Sequence, residues 1–319
     1  MSQAMGVYGK TTIDYETTFG VSPTTVAGKT LPFITNQLNS KQNLNTSKVI
    51  SGVRSDSQPA YGNTDVSGTI TTPVDLGSIG YWLKPVIGAP VTTVNAAGAA
   101  TDFTHVFKVG TSLPSMLIER LVGANYFLYH GCKADTFKVS IGGDSELEAQ
   151  IDYVGCKSIV GTTPYDAAAT LIKQINKLNQ FGAAIKIGGS AVTGTIKSGD
   201  FTINNNLDKD GYTIGDNGFR SQVAEGSAQV SGTFKALFND TTLLNYGINQ
   251  TITSLEILWN LSATKSLSFL FPEVNFSRTD ALITGPGGVE IDLSWQGFWQ
   301  SDAGNSAVIA TLNNQVASY

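Results

Sequence analysis

A chain of 319 residues, 41% of them hydrophobic, can bury cores for two ordinary domains. Its 14% charged content is well below the roughly 25% of a typical soluble domain, so much of the surface is expected to be covered by partners. A net charge of −5 and the lack of any Lys/Arg run exclude a nucleic-acid-binding groove, and no apolar run approaches the roughly 18 residues of a membrane helix.

The opening MSQAMGVYGKTT lacks the basic-then-apolar pattern of a secretory leader, so none is expected. From there the dominant pattern is period-2 alternation broken by Gly, Asn and Asp turns, the signature of half-buried antiparallel strands. VSGTI at positions 66–70 is one such strand. Asp75 then caps a short predicted helix over DLGSIGYWLK. Residues 88–103, rich in small side chains, read as a loop, and THVFKV and YFLYH read as strands.

The clearest hairpin follows. Phe137, Val139 and Ile141 alternate with Lys138 and Ser140, a Gly142-Gly143-Asp144-Ser145 turn intervenes, and Leu147, Ala149, Ile151 and Tyr153 alternate with polar residues. Apolar-to-apolar pairing predicts Phe137 opposite Ile151 and Val139 opposite Ala149. The same register sets Cys132 opposite Cys156, provided that Gly131 and Gly155 introduce no bulge; two reduced thiols are the expectation. Residues 166–181 predict a helix capped by Asp166, with Ala168, Leu171, Ile172, Ile175 and Leu178 on one face.

The second half repeats the first in order. VSGTF at 230–234 echoes VSGTI, and Gly218, Arg220 and Ser221 echo Gly52, Arg54 and Ser55. NNLD at 205–208 echoes QNLN at 42–45, and a second Asp-capped helix is predicted at Asp240. VEIDLSWQG at 289–297 matches LEAQIDYVG at 147–155, with about 22 extra residues in the first copy placed in the 88–103 loop. The expected layout is a first repeat over 1–160, a helical linker over 161–181 and a second repeat over 182–319.

No catalytic constellation emerges. The Gly9-Lys10-Thr11 and Gly28-Lys29-Thr30 triplets lack the first glycine of a P-loop, and no G-x-S-x-G elbow accompanies His105 or His130. Two cysteines and two histidines without C-x-x-C or H-x-x-x-H spacing give no zinc site. Glu148 and Glu290 are matched by duplication, which explains them more simply than an acid/base pair. Neither an enzyme nor a cofactor is expected.

The succession of LPFITNQLN, ISGVRSDSQPAYGNTDVSGTI, YWLKPVIGAP, THVFKVGTSLPSMLIER, YHGCKADTFKVSIGGDSELEAQIDYVG and AAIKIGGSAVTGTIKSGDFTINNNLD resembles the two-repeat branch of siphophage-type tail tube proteins. The resemblance spans about residues 6–299 and rests on the order of the motifs. It implies an all-β, mainly antiparallel fold with few short helices, built as two tandem β-sandwich or half-barrel domains that contribute to a ring-wide β-barrel. Rings would stack into a hollow tube in the virion tail, assembled in the host cytoplasm, through which DNA passes without specific binding and with no membrane insertion. Two repeats per chain suggest a homotrimer with pseudo-sixfold symmetry, a hexamer of two-domain chains being the other possibility. The implied partners are further copies of the chain, tail tip or initiator and terminator proteins, and a tape-measure protein in the lumen. A sheath is not favoured. The resemblance places inter-ring contacts in the segments 51–66 and 216–230, at Arg54, Gln58, Tyr61, Arg220 and Gln222. A lumen that passes DNA must be neutral to negative. Its candidate lining is Glu146, Glu148, Gln150, Asp152, Glu290 and Asp292, although Lys138 on the neighbouring strand argues against a uniformly acidic surface. The alternative from another class is a β-rich receptor-binding or decoration protein.

Overall fold

Alternating strands separated by turn residues fold here into an almost wholly antiparallel β structure. The computed structural model describes residues 3–283, 285–300 and 305–319. The first half contains β1 (Lys10–Tyr15), β2 (Lys29–Leu31), β3 (Thr35–Asn36), β4 (Asn39–Asn45) and β5 (Ala60–Pro73), followed by helix α1 (Ile79–Ile87). It continues through β6 (Val91–Val94), β7 (Phe103–Lys108), β8 (Met116–Val122), β9 (Asn125–Ile141), β10 (Glu148–Gly155), β11 (Lys157–Gly161) and β12 (Thr170–Leu171). The second half contains β13 (Ala183–Ile187), β14 (Ser190–Val192), β15 (Ile196–Asn204) and β16 (Gln229–Leu237), then helix α2 (Thr242–Ile248). It ends with β17 (Thr253–Ser262), β18 (Lys265–Phe276), β19 (Glu290–Phe298) and β20 (Ile309–Asn314).

The two halves share one strand order. In the first, neighbours run β1–β8–β9–β10–β5–β4. In the second they run β13–β17–β18–β19–β16–β15. The registers agree residue for residue: Val66 faces Gly155 as Val230 faces Gly297, and Asn39 faces Ser67 as Thr202 faces Ser231. Even a bulge recurs, between Met116 and Ile118 in one half and between Thr253 and Leu255 in the other. The glycine of each VSGT strand lies opposite a buried aromatic, Gly68 against Tyr153 and Gly232 against Trp295. A Cβ on Gly232 would fall within 2.6 Å of the Trp295 ring, so only glycine fits there.

The halves are zipped together, because residues 136–141 of β9 pair with residues 199–204 of β15. Phe137, Phe201 and Phe269 from both halves stack in one core, with Phe201 and Phe269 centroids 4.8 Å apart. The segment expected to be a loop at 88–103 instead supplies β6 and the start of β7, a hairpin whose second strand pairs with β20 of the other half. Edge pairing of β7 with β20 explains why small, extended residues form strand here.

Both expected helices form, but they begin at Ile79 and Thr242 with Ser78 and Thr241 as N-cap residues, so the aspartates organise the turn ahead of each helix instead of capping it. Asp75 Oδ1 accepts from the Gly77 and Ser78 amides at 2.8 and 3.0 Å, and Asp240 Oδ1 from the Thr242 amide at 2.8 Å. The helix expected at 166–181 does not form. Asn176 there has a left-handed φ of 52°, and the segment runs extended, pairing with β2 and bridging to Asp75 and Glu146. An extended strap covers about 3.3 Å per residue against 1.5 Å for a helix, and backbone pairing on two elements competes with the helical bonds. The 137–151 hairpin has the expected register, but a bulge at Asp135 shifts it beyond Asp152, so Cys132 is not set opposite Cys156 as uninterrupted pairing required. Both thiols are free and buried.

Candidate functional site: a polar sheet face and a projecting hairpin

The strands β4–β5–β10–β9–β15–β16–β19 form one continuous antiparallel sheet across both halves. Period-2 alternation sends Ile70, Ile151, Val139, Phe201, Phe234 and Leu293 into the core. The intervening residues make the opposite, polar face. On it lie Glu148, Gln150 and Asp152 of β10, Lys138 of β9, Asp200 of β15, Lys235 of β16 and Glu290 and Asp292 of β19. Five of the six residues expected to line a lumen therefore share one surface. Glu146 precedes β10 and is drawn aside, its carboxylate bonded to Gln174 and, at 3.3 Å, to Lys177.

The lysines of this face are held by carboxylates. Lys138 pairs with Asp200 at 2.9 Å, and Glu290 receives both Lys197 at 2.8 Å and Lys235 at 3.3 Å. Burial pushes the Asp200 carboxyl up, but the bonds from Lys138 and Thr233 outweigh it and hold it below the ordinary carboxylate range. The bonds from Lys197 and Lys235 likewise hold Glu290 low. Asp152 accepts from the hydroxyls of Thr69 and Thr136, both at 2.5 Å. Sequence reading singled out the acids and missed that Lys235 and Lys197 neutralise part of the face, since cross-strand neighbours appear only once the register is known.

At one end of the sheet, β4 and β5 extend as a two-stranded hairpin. Its residues Leu44, Val49, Ile50, Val53 and Tyr61 are exposed, Ile50 at 97%. Arg54 and Gln58 are exposed on the same hairpin loop. These apolar side chains stand in solvent along the hairpin and its loop.

The equivalent loop of the second half, between β15 and β16, folds back on the first half. Arg220, expected at a contact between rings, is buried inside the chain at 4% exposure. Its guanidinium donates to the carbonyls of Gly155 (3.0 Å), Val66 (3.4 Å) and Lys209 (2.7 Å), ion-pairs with Asp65 and stacks on Tyr212. A fork geometry with this many buried acceptors fixes the side chain as an internal clamp. The bulge residue Asp135 anchors the same loop, accepting from the Leu207 amide at 3.1 Å and pairing with Lys209 at 2.7 Å. Gln222 in that loop remains exposed.

Among the described residues there is no group of three or more His, Cys, Asp or Glu side chains able to hold a metal ion. No helix among them is long and apolar enough to cross a membrane. His105 is buried between Thr92 and the Val316 carbonyl, and His130 lies 3.7 Å from the buried Glu16.

No curated protein matches the chain. A sequence model of one family, described as phage tail tube protein, matches residues 10–297, nearly the whole chain.

Proposed function

From the premise that the chain belongs to the phage tail tube protein family, and so is a structural component of the virion tail, we propose that it self-assembles into rings stacked as a hollow tube for DNA delivery. The observation that carries this reading is the single sheet running through both halves, apolar on one face and polar on the other. A sheet with one solvated face and open outer edges is the shape needed to close, with further copies, into a barrel around an aqueous lumen.

The matched strand orders favour two tandem tube domains per chain, with three chains supplying six positions around the ring. The polar face carrying Glu148, Asp152, Glu290 and Asp292 then turns toward the lumen. Its lysines are already neutralised by Asp200 and Glu290, so a passing phosphate backbone meets no free cluster of cations. The hairpin with Arg54, Gln58 and Tyr61 reaches the adjacent ring. Tail tip, terminator and tape-measure proteins are the partners at the ends and in the bore of such a tube.

Electron microscopy and sedimentation of the purified chain over a rising concentration series test this reading. Rings, stacked discs or hollow tubes are expected. A chain that stays monomeric at high concentration and with tail-initiator proteins added would overturn it in favour of a receptor-binding or decoration role.

A further inference from the structure

The junction between the two halves has a matching but open counterpart at the two ends of the chain. In the first half, β9 runs past its bulge, and residues 136–139 pair with β10 on one side while 136–141 pair with β15 on the other. In the second half the corresponding strand, β18, stops at Phe276, and residues 278–283 leave the sheet. Leu282 and Ile283 there are 67% and 86% exposed. The β19 residues that should receive this segment, Glu290 and Asp292, instead border a cavity of about 270 Å³ with Thr279, Asp280 and Leu282 on its other side.

Charge explains the open strand. Lys133 faces Val154 as Asn275 faces Gln296, which makes Lys138 and Gln150 the counterparts of Asp280 and Asp292. With a bulge at Ser277 matching the one at Asp135, zipping 278–283 onto β19 would set Asp280 directly opposite Asp292, beside Glu290, where Lys235 and Lys197 offset only part of the like-charge repulsion. In the first half the same position is a lysine, and its charge is met by Asp200 of the incoming strand β15.

At the far end of the chain, β3 and β4 correspond to β15, yet no strand pairs with their outer edge, where the Asn36 and Leu38 carbonyls accept from Arg120 and would have to exchange that partner for a strand, and β4 is exposed along nearly its whole length. We infer that a second copy completes the junction: the β3–β4 edge of one chain adds to residues 278–283 of the next, in the register that β15 adopts on β9. The inference rests on the ring reading above and specifies its seam. Lys138 faces Thr202, and Thr202 corresponds to Asn39, so Asp280 faces Asn39 of the neighbouring copy. By the same step Ile283 faces Asn36, and Ala281 and Ile283 turn inward as Val139 and Ile141 do. The incoming edge brings Lys41 diagonal to Asp280, within the reach of a cross-strand pair. Lys41 also faces Arg278, and Asp280 together with Asp65, opposite Lys41 on β5, balances those two cations. Residues 278–283 thus become strand only when a neighbour supplies both the edge and the positive charge.

Disulfide trapping tests the register, since Cys132 and Cys156 are buried. Asp280→Cys combined with Asn39→Cys is assembled and mildly oxidised, beside a one-residue slip, Asp280→Cys with Ser40→Cys. Covalent dimers and trimers from the first pair, at least tenfold more abundant than from the slipped pair, are expected. Rings that form while the first pair fails to link, or links no better than the slipped pair, overturn the seam and leave the tube reading standing. Absence of any ring for the unmodified chain overturns both.

Discussion

Single side chains decide how the second half is fastened to the first, and Arg220 is the clearest of them. Its guanidinium satisfies two buried carbonyls, the partly buried Lys209 carbonyl and the Asp65 carboxylate, so Arg220→Ala leaves those acceptors without a donor. The expected cost is about 3 kcal/mol, read as a lower urea midpoint, because an orphaned buried acceptor costs about 1–3 kcal/mol and several are lost together. A loss below about 0.5 kcal/mol would show that the clamp is not formed in solution. The two thiols give a second test at this scale. Burial pushes both the Cys132 and Cys156 thiols up, so neither is expected to react with an alkylating reagent until the chain unfolds, and then both should. Carboxylates set the pH response. Burial pushes Asp65, Asp200 and Glu225 up, but bonds from Arg220, Lys138 and Lys133 leave all three below their ordinary range. A depressed folded value means stability present above the ordinary carboxylate range, near pH 4, and lost as pH falls through the folded values. Burial leaves Asp75 and Glu119 raised, which adds stability as pH falls from their elevated values toward the ordinary range. Urea midpoints are therefore expected to rise gently on mild acidification and drop below about pH 4; a steady increase down to pH 2 would contradict this balance.

Strands and helices show which parts of the sequence could be read without coordinates. The 137–151 hairpin was legible because period-2 alternation and a Gly-Gly-Asp turn leave one register that buries Phe137, Val139 and Ile151 together. The helices after Asp75 and Asp240 were legible from those aspartates, although Ser78 and Thr241 occupy the N-cap positions. The repeat was legible as well, and VSGTI and VSGTF proved to pair with their closing strands identically. The stripe at 166–181 misled because Leu171 and Ile175 find no core to face, at 65% and 45% exposure, and backbone pairing along an extended strap takes precedence. The small residues at 88–103 concealed a strand, since the signal for β6 and β7 is an edge presented by β20, far along the chain. For the polar face, the acids on β10 and β19 were visible as alternating positions, whereas the neutralising lysines and the burial of Arg220 depend on register and on the fold of a loop. The shared core makes its own prediction. Phe201→Ala, which opens a void between Phe137, Phe269 and Phe271, should cost about 3–5 kcal/mol and unfold both halves in one transition. Two separated unfolding transitions would mean that the halves are held independently.

At the scale of the whole molecule, one chain is a sheet with two unlike edges and two like halves. Its inner join, β9 on β15, shows how one half receives the next, and at its outer edges no strand pairs with the corresponding parts. On the proposed reading, low charge content, exposed apolar residues on the hairpin and the 278–283 segment that leaves the sheet belong to a surface completed by other copies. On that same reading, such a chain closes as three copies giving six half-sites, with the polar face lining the bore. The most direct test is averaged end-on electron microscopy of assembled rings. The account predicts six lobes of two alternating kinds around an open channel, related by threefold symmetry. Twelve lobes in a ring of six chains, or a filled disc without a channel, would contradict it.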